Sequence, residues 1–180
     1  HNNFVDVSLD STGVSLDKRG YRKLSNQAPI NEVLAAGIIQ MSGWHGQIPF
    51  YDPMAGSGTF GIEAAMIAAN IAPGLSRNFA FQKWIDYDAV LFNNIISDLE
   101  SKISSPKVPI FVRDLLTENL DIIAENAYCA QVDEYINLKR EDFFLSEPTT
   151  TEGLIVMNPP YGERMKIEQE NQFYSNIGDV

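Results

Sequence analysis

The chain has 180 residues, enough for one domain with a sizeable core, and 44% of them are hydrophobic with the charges dispersed, which excludes a disordered segment. Thirteen basic residues against twenty-four acidic ones give a net charge of −11, the wrong sign for a free-standing nucleic-acid binder, so a phosphate-gripping surface is expected largely outside these residues. No apolar run approaches the ~20 residues of a membrane span, no signal peptide is expected, and the single cysteine, Cys129, excludes an intramolecular disulfide and a thiolate metal site. A reducing, cytoplasmic setting and no metal are expected.

Residues 4–9 alternate apolar and polar and predict a short strand. Residues 10–22 are polar and locally basic, with Lys18, Arg19, Arg22 and Lys23. Pro29 is expected to open a helix to about Met41, with Ile30, Val33, Leu34, Ile38 and Met41 on its inner side. A strand over 48–51 ends at Asp52, followed by a glycine-rich turn and an alanine-rich helix from Thr59 to Ala69. Ala72-Pro73-Gly74 breaks that helix, and an aromatic segment leads to a second helix over 86–103. A strand over 108–112 ends at Asp114, and Thr117 is expected to cap the helix that reaches Cys129. A weaker strand over 136–139 leads to Asp142-Phe143-Phe144, and 153–157 reads as a last, buried strand. Trp44 and Trp84 read as packing residues and His45 as a loop residue.

Strands alternating with helices predict a parallel α/β sheet, and ligands of such sheets bind beyond the carboxyl ends of the strands. Asp52, Asp114, Asp142 and Asn158 all fall at those exits. Gly56-Ser57-Gly58-Thr59-Phe60-Gly61 fits G-x-G-x-x-G between a strand and a helix, a pattern compatible with a dinucleotide or with another nucleoside whose polar tail lies on the loop. Asp52 beside the loop would repel a pyrophosphate and attract an ammonium group. The ribose-binding acid that a dinucleotide fold places about 20 residues further on is missing. A ligand with an amino-acid tail, a ribose and an adenine, S-adenosylmethionine, fits better.

Asn158-Pro159-Pro160-Tyr161 follows the apolar run 154–157. Proline donates nothing to a ladder and keeps the preceding residue extended, so Asn158 is held at the strand exit with Tyr161 just beyond. A carboxamide oxygen and a freed carbonyl accept from an exocyclic amino group, and a tyrosine ring stacks on a base. The alternative is a strand ending in a proline-rich turn.

Asp52-Pro53-Met54-Ala55-Gly56-Ser57-Gly58-Thr59-Phe60 resembles the first motif of amino-methyltransferases, and Asn158-Pro159-Pro160-Tyr161 resembles their catalytic motif. The stretches 8–10 and 18–22, 28–32, 71–75 with 79–81, and 162–165 narrow the resemblance to the bacterial guanine-N2 methyltransferases of 23S ribosomal RNA that carry an N-terminal THUMP domain, often labelled adenine-specific DNA methylases. The resemblance implies a Rossmann-like S-adenosylmethionine-dependent methyltransferase fold with a mostly parallel sheet. It divides the chain into a strand, linker and helix over 1–45 and a core over 46–180, with the THUMP domain and the last strands of the sheet expected elsewhere in a longer protein.

It further implies that Asp52, Met54, Ala55, Gly56, Ser57, Gly58 and Thr59 bind the cofactor, with Pro29 at its methionine end, Asp114 at its ribose, and Asp142 and Phe143 at its adenine. Asn158, Pro159, Pro160 and Tyr161 would be catalytic, while Tyr161, Arg19, Arg22 and Arg164 would hold ribosomal RNA, with Lys18 and Glu163 nearby. Leu116 stands where family members often carry a second acid. Alternatives are an adenine-N6 DNA methyltransferase and a non-catalytic domain that binds the cofactor or RNA.

Overall fold

The computed structural model describes residues 5–25, 29–160 and 167–178, without the side chains of 167–170. Four strands form one sheet in the order β3-β2-β1-β4: β1 (Phe50–Asp52), β2 (Ile110–Asp114), β3 (Ile136–Arg140) and β4 (Leu154–Ile155). Every neighbouring pair is parallel, with Phe50 opposite both Ile110 and Leu154, and Ile110 opposite Ile136. The order runs outward from β1 through β2 to β3, then returns to the other side of β1 for β4. The crevice between the carboxyl ends of β1 and β4 is therefore a topological switch point, where open α/β sheets place their ligands.

Helix α2 (Thr59–Ala68) is the centre of the core: each residue from Thr59 to Met66 is buried. It packs on β1, β2 and β3 and against α1 (Glu32–Met41). That approach depends on Gly61, where an added Cβ would run into the Val112 side chain. Helix α4 (Thr117–Cys129) covers β2 and β3, with Ile123 fully buried beside Phe50, Ile62, Ile110 and Val112. Alternation along the strands sends Tyr51, Phe111 and Arg113 to the opposite face. There the Tyr51 and Phe111 rings stack at 4.7 Å and the Arg113 guanidinium lies 5.3 Å from the Phe111 centroid. Helices α3 (Ala89–Glu100) and α5 (Ile167–Gly178) complete the described α-helices.

Several expectations are corrected. Residues 5–9 form no strand, and Val5, Val7 and Leu9 are exposed, because no neighbouring strand among the described residues offers a ladder. Helix α1 begins at Glu32, not Pro29, because the Asn31 side chain accepts from the N–H groups of Val33 and Leu34 and caps it.

The inner face of α1 is Glu32, Ala35, Ala36 and Ile39; Val33, Leu34, Ile38 and Met41 point outward. Small alanines permit the close approach to α2, and Glu32 is drawn inward by Arg22 at 3.2 Å. Thr117 is the first residue of α4 and not its cap; the N–H of Leu116 and the amide of Asn119 are instead satisfied by Asp114 Oδ1. Strand β4 is short and Ile155 is 56% exposed, so this strand is not buried among the described residues. Trp44 is buried and donates to the Ile48 carbonyl, whereas Trp84 is 39% exposed and outside the core.

The segment before α1 is tied down by side chains of the core. Asn126, fully buried on α4, accepts from the N–H groups of Lys23 and Leu24 and donates to the carbonyls of Leu24 and Ser57. All four of its hydrogen-bonding positions are used. Tyr21 donates to Glu63 Oε1 at 3.0 Å, and Arg19 pairs with the same carboxylate at 3.4 Å. Burial raises the Glu63 pKa, a push that Arg19 and Tyr21 oppose; burial and the neighbouring Glu63 likewise raise that of Tyr21.

Candidate functional site

The glycine turn leaves β1 and is shaped by β2. Gly56 (φ 59) and Gly58 (φ 81) adopt left-handed backbone, which non-glycine residues rarely do. The Gly56 N–H donates to Asp114 Oδ2 at 2.8 Å, and the Ala55 N–H to the Arg113 carbonyl at 3.0 Å. The end of β2 therefore grips the turn that follows β1. A Cβ on Gly58 would come within 2.9 Å of Ile123, so α4 closes on the turn from the other side.

A cleft of about 500 Å³ opens over these strand ends. Of the residues expected to form the site, it is lined by Met54, Gly56, Asp114, Asp142, Phe143, Asn158 and Pro160. It also takes in Leu116, where the family's second acid is missing, and residues to which the sequence assigned no role in the site: Pro53, Leu115, Asn119, Glu141, Phe144 and, from α5, Phe173. Phe173 packs edge-on against Phe144 at 5.3 Å, and Tyr174 on the same helix donates to the Pro160 carbonyl at 3.4 Å. No local pattern could announce that contact, since α5 reaches the cleft only through tertiary packing. Asn119, in the first turn of the helix that follows Asp114, and Glu141, one residue before Asp142, could have been found from their nearness to those acids.

Asp142 Oδ1 accepts from the Phe144 N–H at 3.0 Å and caps a 3-10 turn, which sets Phe143 in the wall. Glu141 takes hydrogen bonds from Lys139 and Arg113; that from Lys139 contributes most to holding its carboxyl below the usual range. The cleft is thus bordered by Asp114, Glu141 and Asp142, with no lysine, arginine or histidine among its described lining residues. Aromatic and leucine side chains supply its apolar walls.

The other expected residues lie elsewhere. Asp52 is 1% exposed beneath the turn, with Oδ2 accepting from the Gly61 N–H and Oδ1 without a partner. Burial, reinforced by the charge of Asp114, pushes its carboxyl up to about 8. Ser57 and Thr59 are buried behind the turn, and Ala55, Gly58 and Pro159 do not line the cleft. Pro29 borders a separate cavity of about 730 Å³ with Arg22.

Arg19 and Arg22 do not form an exposed cationic patch. Arg19 is committed to Glu63, and Arg22 to Glu32, the Ile30 carbonyl and Thr59 Oγ1. Tyr161, Glu163 and Arg164 lie outside the described residues.

A parallel sheet with a glycine turn after its first strand, an acid at the end of its second and an Asn-Pro-Pro exit from its fourth defines a Rossmann-like methyltransferase domain. The chain belongs to the RMKL-like methyltransferase domain family, whose model matches residues 19–180. A Synechocystis relative, provisionally named an RNA methyltransferase, is 38% identical over 183 residues, which is 100% of this chain and 48% of the relative. Ribosomal RNA large subunit methyltransferase K/L of Shewanella sp. is 35% identical over 185 residues, 99% of this chain and 26% of the relative.

Among solved structures, SMU.472 complexed with SAH superposes with a TM-score of 0.87 at 37% identity, covering 94% of this chain and 45% of that one. A Listeria monocytogenes structure, provisionally named an N6-adenine-specific DNA methylase, gives 0.87 at 35% identity, covering 95% of this chain and 46% of that one. The chain spans about half the length of the first curated relatives it matches.

Proposed function

We propose that this domain binds S-adenosylmethionine in the cleft and methylates the exocyclic amino group of a base, guanine N2 of 23S ribosomal RNA. One observation carries the reading: a cleft bordered by three acids, with no cation among its described lining residues, built on a glycine turn at the switch point. A pyrophosphate would face these carboxylates, whereas a ligand carrying an ammonium and a sulfonium charge, ribose hydroxyls and an adenine finds acceptors and apolar walls. The relatives' names and the neighbour solved with SAH support the same choice.

Bound there, the cofactor supplies an electrophilic methyl group. Met54 and Gly56 would border its methionine end, Asp114 would accept from the ribose, and Asp142 from the adenine amino group with Phe143 against the ring. Asp52 would support the turn from beneath. The Asn158 side chain and the Pro159 carbonyl would accept the two hydrogens of the target amine, directing its lone pair at the methyl group and stabilising the positive charge that grows on nitrogen. Tyr161 would stack on the base once it has left its neighbours. The phosphate grip would come mainly from a THUMP domain elsewhere in the full-length protein, since Arg19 and Arg22 are spent on internal carboxylates.

The test is a tritiated-methyl transfer assay of the full-length protein on undermodified ribosomal RNA and on DNA, with nucleoside analysis of the product. Label in N2-methylguanine is the expected result; label only in N6-methyladenine of DNA would establish the alternative, which the Listeria neighbour's name favours. Asn158→Ala should lower kcat by about a hundredfold or more, the cost of removing a transition-state hydrogen-bonding group, while the Kd for S-adenosylmethionine changes little. Equal losses in both would remove Asn158 from the chemical step.

A further inference from the structure

We infer that Asn119 is a positioning residue that fixes how Asp114 presents itself to the ribose of the bound nucleoside; this rests on the cofactor reading above. A carboxylate has about four acceptor positions. Asp114 fills three of them inside the protein: Oδ2 accepts from the Gly56 N–H at 2.8 Å, and Oδ1 from the Leu116 N–H and the Asn119 side-chain amide at 2.9 Å each. Oδ1 is saturated, so a single position on Oδ2 is left to a ligand, beside the turn.

The neighbouring wall offers no substitute, because Leu115 and Leu116 are apolar. Gly56 and Leu116 hold the carboxylate through backbone groups on opposite oxygens. Asn119 adds a side-chain tether from α4, whose placement is in turn set by Ile123 under the glycine turn. A single acceptor of fixed direction can serve one ribose hydroxyl well and not both. The ribose is therefore read asymmetrically, and Asn119 is the group that keeps it so. Without that amide, Oδ1 regains an open acceptor and the carboxylate can turn, so either hydroxyl can be served.

The test uses the full-length protein and calorimetry with adenosine, 2′-deoxyadenosine, 3′-deoxyadenosine and S-adenosylhomocysteine. The wild type should bind adenosine about tenfold more tightly than one of the two deoxynucleosides, and the other deoxynucleoside nearly as well as adenosine, as expected when one buried hydrogen bond is lost. Asn119→Ala should compress that preference to about twofold while the melting temperature stays close to wild type.

A merely structural role would move stability and leave the preference intact; that result overturns the inference, as does a wild type that treats both deoxynucleosides alike. If Asn119→Ala fails to fold, the isosteric Asn119→Asp replaces the donor with an acceptor beside Asp114 and must also abolish the preference, or the inference falls. If the wild type binds neither S-adenosylhomocysteine nor adenosine, the cofactor reading has failed and the ribose assignment fails with it. Binding without a wild-type preference, by contrast, defeats only the inference.

Discussion

Asp52 and Asp114 leave adjacent parallel strands and have opposite fates. Asp114 sits at the rim with three donors, while Asp52 lies under the turn with one oxygen unpartnered. Burial is the main cause of the rise in the Asp52 pKa to about 8 from an ordinary 3.8, so the folded chain holds this proton far more tightly than the unfolded one. The stability that Asp52 contributes is complete below about pH 4 and is lost as the pH rises through about 8.

Asp52→Asn, which keeps the shape of the neutral acid, should leave the melting temperature near wild type at pH 5 and raise it relative to wild type at pH 9. A constant difference across that range would show that the carboxyl is already ionised at pH 5. Asp114→Ala removes the acceptor for the Gly56 N–H as well as the proposed ribose contact, so S-adenosylmethionine affinity should fall by about tenfold or more, read by calorimetry. Unchanged affinity would take Asp114 out of the site.

At the scale of elements, the architecture depends on close approaches and on side chains that bridge distant segments. Gly61→Ala drives a methyl group into Val112, and overpacking of this kind costs about 1–3 kcal/mol, measurable by urea unfolding. Asn126→Ala strips four hydrogen bonds that join α4, the glycine turn and residues 23–24, at a cost of about 2–3 kcal/mol. The segment over 5–25 should then become sensitive to limited proteolysis before the sheet does; simultaneous cleavage of both would show that Asn126 stabilises the whole domain and not this attachment.

The helices and strands after residue 46 were legible in the sequence because their apolar runs, their glycine and proline punctuation and their strand-end acids all agree. The face of α1 was not legible. Its ten residues carry large apolar side chains on one side and alanines on the other, and periodicity favours the larger set. What decides is shape, since only the alanine side can approach α2, together with a buried pairing to Arg22 that lies ten residues away in sequence.

For the whole molecule, charge sets the terms of substrate binding. A net charge of −11, with Arg19, Arg22 and Arg113 committed to Glu63, Glu32 and Glu141, leaves little to neutralise phosphates. If the phosphate grip lies in a separate domain, this domain alone should bind ribosomal RNA weakly, with a shallow dependence of log Kd on log salt concentration, and the full-length protein tightly, with a steep one. Equal slopes would place the grip within these residues and return attention to the exposed Lys18 and Lys23.

The amino-acid sequence by itself determined the succession of elements, the parallel α/β class and the kind of chemistry. The glycine turn, the strand-exit acids and the Asn-Pro-Pro exit are local features, written in residues within a few positions of one another. Only the tertiary structure decided which of those residues share a cavity. It placed Met54, Gly56, Asp114, Asp142, Phe143 and Asn158 around one cleft and added Glu141, Asn119 and Phe173 to it, while Asp52 went beneath the turn and Arg19 and Arg22 were paired with Glu63 and Glu32. Burial, and the pairing of charges across dozens of residues, depend on which surfaces meet, and chain-local patterns do not encode that meeting.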